Sequence, residues 1–347
     1  MLSALIMAGG RGTRFYPLST DDRPKQFLNL IGEKTMIQMT VDRLLKIMPM
    51  ERIFVATGAK YVDLTREQLP ELPEGNIIVE PVGRNTAPCV VFGAMQVNAL
   101  FPSDNLVVLP SDALIQDVEE FCNVLKAGDA FLDKNEEAVV TIGIEPTRPE
   151  TGYGYIKQTD QSELVNNYQI KKVERFVEKP DLDTAKEYLA QGGYFWNAGI
   201  FMWNVDYVEK LAREHMEDTY NKLREIGRVN SEGYEERLFE LYPLCESISV
   251  DYALMEKIDT INVIPGSFGW DDVGTWAALE RYLPQDAHGN ITKGRFYVDN
   301  ARNNIIFSTK KEVVFLGMDN AFCIEADDMI VVGTRDQLSA VHELRNR

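Results

Sequence analysis

From Ala8 to Gln26 the chain reads AGGRGTRFYPLSTDDRPKQ, with Gly9, Gly10 and Gly12 interleaved with Arg11 and Arg14 directly behind an apolar run. Glycines let backbone N–H groups converge, and arginine and lysine add full charges, so the chemistry such a turn offers is the binding of an anion, above all a phosphate. A glycine turn with no ligand is the plainer alternative. The details exclude two phosphate loops: the dinucleotide fingerprint needs a third glycine where Phe15 stands, and no G-K-[ST] is present for a Walker loop. Lys25 adds a cation behind Pro24, with no carboxylate four residues on, which suits a ligand better than a surface helix. Asp112 closes the apolar run LVVLP, where its carboxylate serves either as an oxygen ligand for a hard divalent cation at the sheet edge or as a helix N-cap. In EPVGRNTAP, residues 80–88, Pro81, Gly83 and Pro88 shape a strand-to-helix connection that Asn85 or Thr86 can cap. TGYGYI, FVEKP and WNAGIF read equally well as hairpin strands with packed aromatics and an exposed Glu178–Lys179 pair. His215, His288 and His342 fall outside every such stretch, which disfavours histidine acid–base catalysis and zinc.

The elements that must carry these residues are legible in the hydrophobic pattern. SALIMAG, RIFVATG, NIIVEP, NLVVLPSD, AVVTIGI and TINVIPG are short apolar runs alternating with longer amphipathic ones, the rhythm of an α/β chain with a mostly parallel, doubly covered sheet. The opening turn then falls at the carboxyl end of an early strand, the edge where open α/β sheets place ligands. Helices are predicted over Ala87 to Leu100 and near 117–134, 181–191, 205–226 and 249–258. Beyond residue 285 short apolar runs broken by Gly, Asn and Asp predict a small β-rich module, closed by a helix from Asp336 to Leu344. The expected domains are therefore 1–285 and 286–347.

With 347 residues, 45% of them hydrophobic, the chain can bury a large core. A net charge of −18 works against nucleic acid. Cys89, Cys122, Cys245 and Cys323 lie singly in apolar surroundings, as reduced thiols of a cytoplasmic protein would, and no run is long enough for a signal or a membrane span.

Taken together, AGGRGTRFYPLST with RPKQFL resembles the signature loop of sugar-nucleotide pyrophosphorylases, and the Lys-Gln-Phe-Leu ending resembles the mannose-1-phosphate guanylyltransferases among them. The likeness recurs in order at EPVGRNTAP, LPSDALI, TGYGYI, FVEKP, WNAGIF, SVDYALMEK and FGWDDVGTW. It implies a Rossmann-like nucleotidyltransferase fold followed by a short left-handed β-helix, and a reaction in which mannose 1-phosphate attacks GTP to give GDP-mannose. Arg14 and Lys25 are then the catalytic cations, and Ala8, Gly9, Gly10, Gly12, Thr13 and Ser111 line the nucleotide. The resemblance makes Glu80 the acceptor for the N1–H and N2–H₂ donors of guanine, with a backbone N–H among Asn85, Thr86 and Ala87 for O6. It gives Glu178 and Asn197 to the sugar hydroxyls, sets the backbone of Gly152 and Gly199 near the ring, and gives Lys179 to the sugar phosphate. It places Mg²⁺, or another divalent cation, on Asp112 and, through the W-x-D-x-G pattern in FGWDDVGTW, on Asp272 rather than Asp271; adjacent acids on extended chain point apart, so only one of the two can easily share a metal with Asp112. A homodimer through the C-terminal module, one activity rather than two, and no membrane partner complete the expectation. A glucose-1-phosphate thymidylyltransferase or a non-catalytic nucleotide-sugar sensor are the rival readings.

Overall fold

The structure, a computed structural model, describes residues 1–10, 12–327 and 329–346. Two compact units are present, one formed by Met1–Gly9 with Thr40–Asp271 and the other by Gly10–Met39 with Asp272–Arg347. The expected boundary at 285 marks where the sequence changes character. The compact units follow contact instead, and residues 10–39 pack with the C-terminal strands.

In the first unit β1 (Leu2–Met7), β2 (Ile53–Gly58), β3 (Ile77–Glu80), β4 (Asn105–Pro110), β5 (Leu114–Ile115), β6 (Val139–Ile144), β7 (Tyr155–Val165), β8 (Tyr168–Val177), β9 (Tyr194–Asn204), β10 (Ile261–Gly266) and β11 (Trp270–Asp271) follow one another along the chain. Nine of them form one sheet in the order β3-β2-β1-β4-β9-β6-β10-β8-β7, while β5 and β11 pair separately. The ladders joining β3, β2, β1 and β4 are parallel, as is β6 with β10. β9 enters antiparallel between β4 and β6, making the sheet mixed. The parallel strands read as continuous apolar runs because both faces are covered: the four central residues of β1 are buried, and so are the first five of β2. The helix Thr86–Leu100 is apolar around most of its circumference and is accordingly buried on several sides, with Val90, Val91, Phe92 and Val97 in the main core. At Gly93 a side chain would run into Leu5 of β1, so glycine sets how closely this helix seats on the sheet.

Three predicted helices are corrected. The stretch 205–226 is two helices, Val205–His215 and Glu217–Ile226, broken at Met216 with φ −142°. The stretch 249–258 reduces to the single turn Val250–Ala253 and a 3-10 turn Met255–Lys257. The closing segment is a 3-10 helix, Arg335–Asn346.

In the second unit β12 (Ile291–Lys293), β13 (Phe296–Asp299), β14 (Ile305–Ser308), β15 (Val313–Leu316), β16 (Ala321–Ala326) and β17 (Met329–Thr334) follow in order. β12, β14 and β16 pair in parallel in one sheet and β13 with β15 in another, so successive strands alternate between two sheets as in a β-helix, and β17 closes the first sheet antiparallel. Its small core holds Ile306, Phe315 and Cys323. The opening segment joins this module through edge-on aromatic contacts, Phe15 to Trp276 at 5.3 Å and Trp276 to Phe307 at 5.1 Å. Lys293 adds hydrogen bonds to the carbonyls of Asn29 and Gly32, the latter at 2.7 Å.

Candidate active site

The opening turn follows β1. Ala8 is buried, its N–H bonded to the Ala56 carbonyl at 2.7 Å, whereas Gly9 and Gly10 are exposed. Arg11 lies outside the described residues. Within the second unit Gly12 takes the left-handed conformation, φ 44°, and precedes the 3-10 turn Thr13–Phe15, which carries the exposed Arg14. The Gly12 carbonyl accepts the Lys25 N–H at 3.2 Å, and the Gly10 carbonyl accepts from Gln26 Nε2 at 3.0 Å, so Pro24-Lys25-Gln26 stitches the turn shut. A Cβ on Gly12 would stand 2.7 Å from the Lys25 backbone nitrogen. Gly12→Ala therefore meets both a disfavoured φ and a backbone collision, and we expect at least a tenfold loss in kcat/KM, about 1.4 kcal/mol, together with a lower melting temperature. Steady-state kinetics and a thermal melt check this.

Lys25 is only 5% exposed, and its ammonium donates to the Asp272 carbonyl. The Asp272 carboxylate accepts the Gly274 N–H at 3.2 Å, and Arg14 Nη1 lies 3.1 Å from where a Cβ on Gly274 would stand. Between them buried Val273 holds φ 44°, a left-handed conformation that β-branched residues rarely adopt. Within one unit, then, the structure gathers Lys25, Arg14 and Asp272 at one strained turn. Asp271, by contrast, is 6% exposed and pairs in β11 opposite Leu114.

In the first unit Asp112 is half-buried between β4 and β5, and a buried network brackets it. Thr40 donates its hydroxyl to the Ser111 carbonyl at 3.0 Å, Ser111 donates its N–H to the Met7 carbonyl at 3.1 Å, and Arg43 Nη2 donates to the Ala113 carbonyl at 2.9 Å and to the Thr40 hydroxyl. Burial lowers the Arg43 guanidinium to about 10, and the charge of Asp112 opposes that fall; Arg43 remains cationic at neutral pH. Asp112 thus caps no helix; the capping acid that follows is Asp117, which accepts from the Glu120 N–H at 2.9 Å.

Glu80 ends β3, buried. Its Oε1 accepts from the Tyr242 hydroxyl at 2.6 Å, while Oε2 would lie 2.6 Å from a Cβ on Gly9, so glycine at position 9 makes room for the carboxylate. Burial pushes the Glu80 carboxyl above its usual range, and its hydrogen bond from Tyr242 counters this. Asn85, φ 63°, caps the following helix, its side chain accepting the Thr86 N–H at 2.9 Å, and the Ala87 N–H donates to the Ile248 carbonyl at 3.1 Å. Of the three amides expected to face a base, two are thereby engaged within the protein, and that of Asn85 remains.

A fourth cluster lies on β8 and β9. Glu178 is largely buried and ion-paired with the exposed ammonium of Lys179. An irregularity in the β6–β9 ladder between Thr141 and Gly143 accompanies Gly199 at φ 68°, whose N–H donates to Asn197 Oδ1 at 3.0 Å. The Asn197 N–H donates to the Gly154 carbonyl at 2.8 Å, and a Cβ on Gly154 would stand 2.6 Å from Glu178 Oε2. Gly154 rather than Gly152 therefore meets this cluster; Gly152 is exposed and donates its N–H to Glu150 Oε1 at 3.0 Å. Asp251 completes the group, accepting from Asn197 Nδ2 at 3.3 Å, its carboxyl lifted to about 6 by burial first and the Glu178 charge second. Sequence reasoning missed Asp251, Gly154, Tyr242 and Arg43. Asp251 stood in SVDYALMEK and Gly154 in TGYGYI, yet neither stretch says on its own which of its residues turns toward Asn197.

Asp112 and Asp272 each carry carboxylate oxygen, the donor type that a hard divalent cation takes. Among the described residues no three His, Cys, Asp or Glu gather into one group. Among the described residues the four cysteines are buried and free, and no helix is long and apolar enough to cross a membrane.

The sequence profile of the family described as nucleotidyl transferase matches residues 3–288. The chain is 36% identical over 344 residues to the alginate biosynthesis protein AlgA of Pseudomonas fluorescens, covering 98% of this chain and 70% of that protein. It is 35% identical over 359 residues to the mannose-1-phosphate guanylyltransferase of Salmonella montevideo, covering 99% and 73%. Among solved structures, one described as mannose-1-phosphate geranyltransferase from Thermus thermophilus superposes with a TM-score of 0.84 at 34% identity, covering 100% of this chain and 98% of that one.

Proposed function

Because the chain belongs to the nucleotidyl transferase family, we propose that its opening turn holds a nucleoside triphosphate with the α-phosphorus presented to a sugar phosphate. The reaction is that of a mannose-1-phosphate guanylyltransferase, transfer of GMP from GTP to α-D-mannose 1-phosphate. A phosphate oxygen of the sugar forms the new bond to the α-phosphorus, the bond to the bridging oxygen breaks, and pyrophosphate leaves with that electron pair. The nucleophile is already an anion at neutral pH, so no side chain need take a proton. What remains is to hold two polyanions in line and offset their repulsion, about 1 kcal/mol per charge pair at 4 Å in water and more in a drier site.

The observation that carries this reading is the convergence of Lys25 and Arg14 on the Asp272–Gly274 turn. Lys25 is the better placed to act on the reacting phosphates, since burial spares its charge the screening of bulk water. Arg14, exposed, suits the outer phosphates, with the amides of Gly9, Gly10, Gly12 and Thr13 beside it. Asp112 and Asp272 would hold the divalent cation. When bound, such an ion withdraws charge from the phosphate oxygens.

Guanine recognition is assigned to Glu80 and the Asn85 N–H. The Tyr242 bond fixes Glu80, and its raised carboxyl still ionises when a donor pair such as guanine N1–H and N2–H₂ meets it. Glu178, Asn197 and Gly199 are assigned to the mannose hydroxyls, Gly154 in place of the expected Gly152 to the approach of the ring, and Lys179, exposed at the end of this cluster, to the sugar phosphate. Ser111, Ala8 and Ala87 act through backbone groups that hold these segments, and Thr86 does so through its hydroxyl as well.

A cytoplasmic setting fits four reduced thiols and these substrates. Association as a homodimer is supported by the exposed apolar side chains Tyr297, Val314 and Leu316 on β13 and β15, and Ile330 and Val332 on β17. Sedimentation showing a monomer at micromolar concentration contradicts that assignment. The reaction itself is tested by pyrophosphate release, which must require GTP and mannose 1-phosphate together with a divalent cation. Release without the sugar phosphate would contradict the transfer.

A further inference from the structure

The Ile248–Asp251 segment is tied down at both ends by groups far from it in sequence. The Ile248 carbonyl accepts the Ala87 N–H at 3.1 Å, the Val250 N–H donates to the Thr86 hydroxyl at 2.9 Å, and Ser249 caps the turn that follows. Asp251 projects from this braced segment and meets the side-chain amide of Asn197, Nδ2 to Oδ1 at 3.3 Å. The other end of that amide is committed as well: Asn197 Oδ1 accepts the Gly199 N–H at 3.0 Å and the Thr141 hydroxyl at 3.4 Å. A flipped amide would set NH₂ against the Gly199 N–H and oxygen against a carboxylate, losing both bonds. One orientation is allowed, with one N–H of Asn197 left for a ligand.

We propose that Asp251 is a positioning residue for the sugar side of the site, fixing the Asn197 amide so that its remaining N–H meets a sugar hydroxyl. This rests on the assignment of Asn197 to the sugar. Glu178 is the charged neighbour of Asp251, with Lys179 and Glu256 beyond it, and the carboxyl is lifted to about 6. A neutral amide in its place is therefore close in charge to a form that the native carboxyl readily adopts.

The test compares Asp251→Ala and Asp251→Asn in the full-length enzyme, with thermal melts on each. Wild-type enzyme is first assayed with a panel of sugar 1-phosphates, and the pair it prefers is used throughout. A preference other than mannose 1-phosphate with GTP then counts against the reaction assigned above, while the Asp251 comparison is still read on the preferred sugar. Asp251→Ala is expected to raise KM for the sugar phosphate about tenfold, the size of one lost orienting hydrogen bond, with KM for the nucleotide within about twofold. Asp251→Asn, which keeps an acceptor oxygen for Asn197, is expected to recover most of that loss. Should the alanine variant not fold, Asp251→Val fills the carboxylate's space without an acceptor and carries the same expectation. An unchanged KM for the sugar phosphate, an equal rise in both KM values, or an asparagine variant as impaired as alanine each overturns the proposal.

Discussion

Lys25→Ala is expected to lower kcat/KM for guanylyl transfer by about 100- to 1,000-fold, the usual effect of deleting one preorganised charge from a phosphoryl-transfer site. The ammonium sits where a lysine is costly to keep, 5% exposed and held against the Asp272 carbonyl. Because the same side chain also ties residue 25 to residue 272, alanine removes a tether as well as a charge. Lys25→Met separates the two effects, since it keeps the length and apolar stem of the side chain. If the charge is what matters, methionine should be nearly as inactive as alanine while melting close to wild type. A methionine variant within tenfold of wild type would make Lys25 a structural tie and nothing more.

The second large effect is expected at Asp112. Asp112→Asn keeps the shape of the side chain and its place between β4 and β5 but removes the charge a hard cation seeks. We expect kcat/KM at fixed magnesium to fall at least about 100-fold, and Mn²⁺ binding followed by electron paramagnetic resonance to weaken by at least about tenfold. The Thr40–Ser111 and Arg43–Ala113 bonds use backbone carbonyls and survive the change, so a thermal melt should fall only by what the lost attraction between Asp112 and buried Arg43 costs. Unaltered Mn²⁺ binding would take Asp112 out of the metal site.

Lys25 and Asp112 could be singled out from the sequence for a local reason. A glycine turn with cations offers an anion site, whereas an acid at the end of an apolar strand reads as a cation ligand or a helix cap until the resemblance is added; the parallel sheet that carries them follows from runs such as NLVVLP. For adjacent Asp271 and Asp272 strand geometry said only that their side chains point apart, and the choice of Asp272 came from the resemblance; the structure buries the first and leaves the second half-exposed.

What the pattern did not carry is contact between distant segments. Asp251 meets Asn197, 54 residues away, and Glu80, which the resemblance singled out, is fixed by Tyr242, 162 residues away. The grouping of residues 10–39 with the C-terminal strands depends on Phe15 meeting Trp276 and on Lys293 reaching Asn29, which no periodicity announces. The helix expected over 205–226 breaks at buried Met216, and the amphipathic spacing, which runs on across the break, does not mark it. Nor did spacing tell Gly152 from Gly154, since both precede aromatic residues and only a close approach to Glu178 distinguishes them.

What the enzyme makes when offered a choice of substrates tests its specificity most directly. A single reaction containing GTP, dTTP and UTP at equal concentration, with mannose 1-phosphate and glucose 1-phosphate together, should yield GDP-mannose as the dominant product by mass spectrometry. Guanine is favoured by the acceptor pair that Glu80 presents, and discrimination by one well-placed polar group reaches orders of magnitude. A product mixture dominated by dTDP-glucose or UDP-glucose would contradict the assignment of this site.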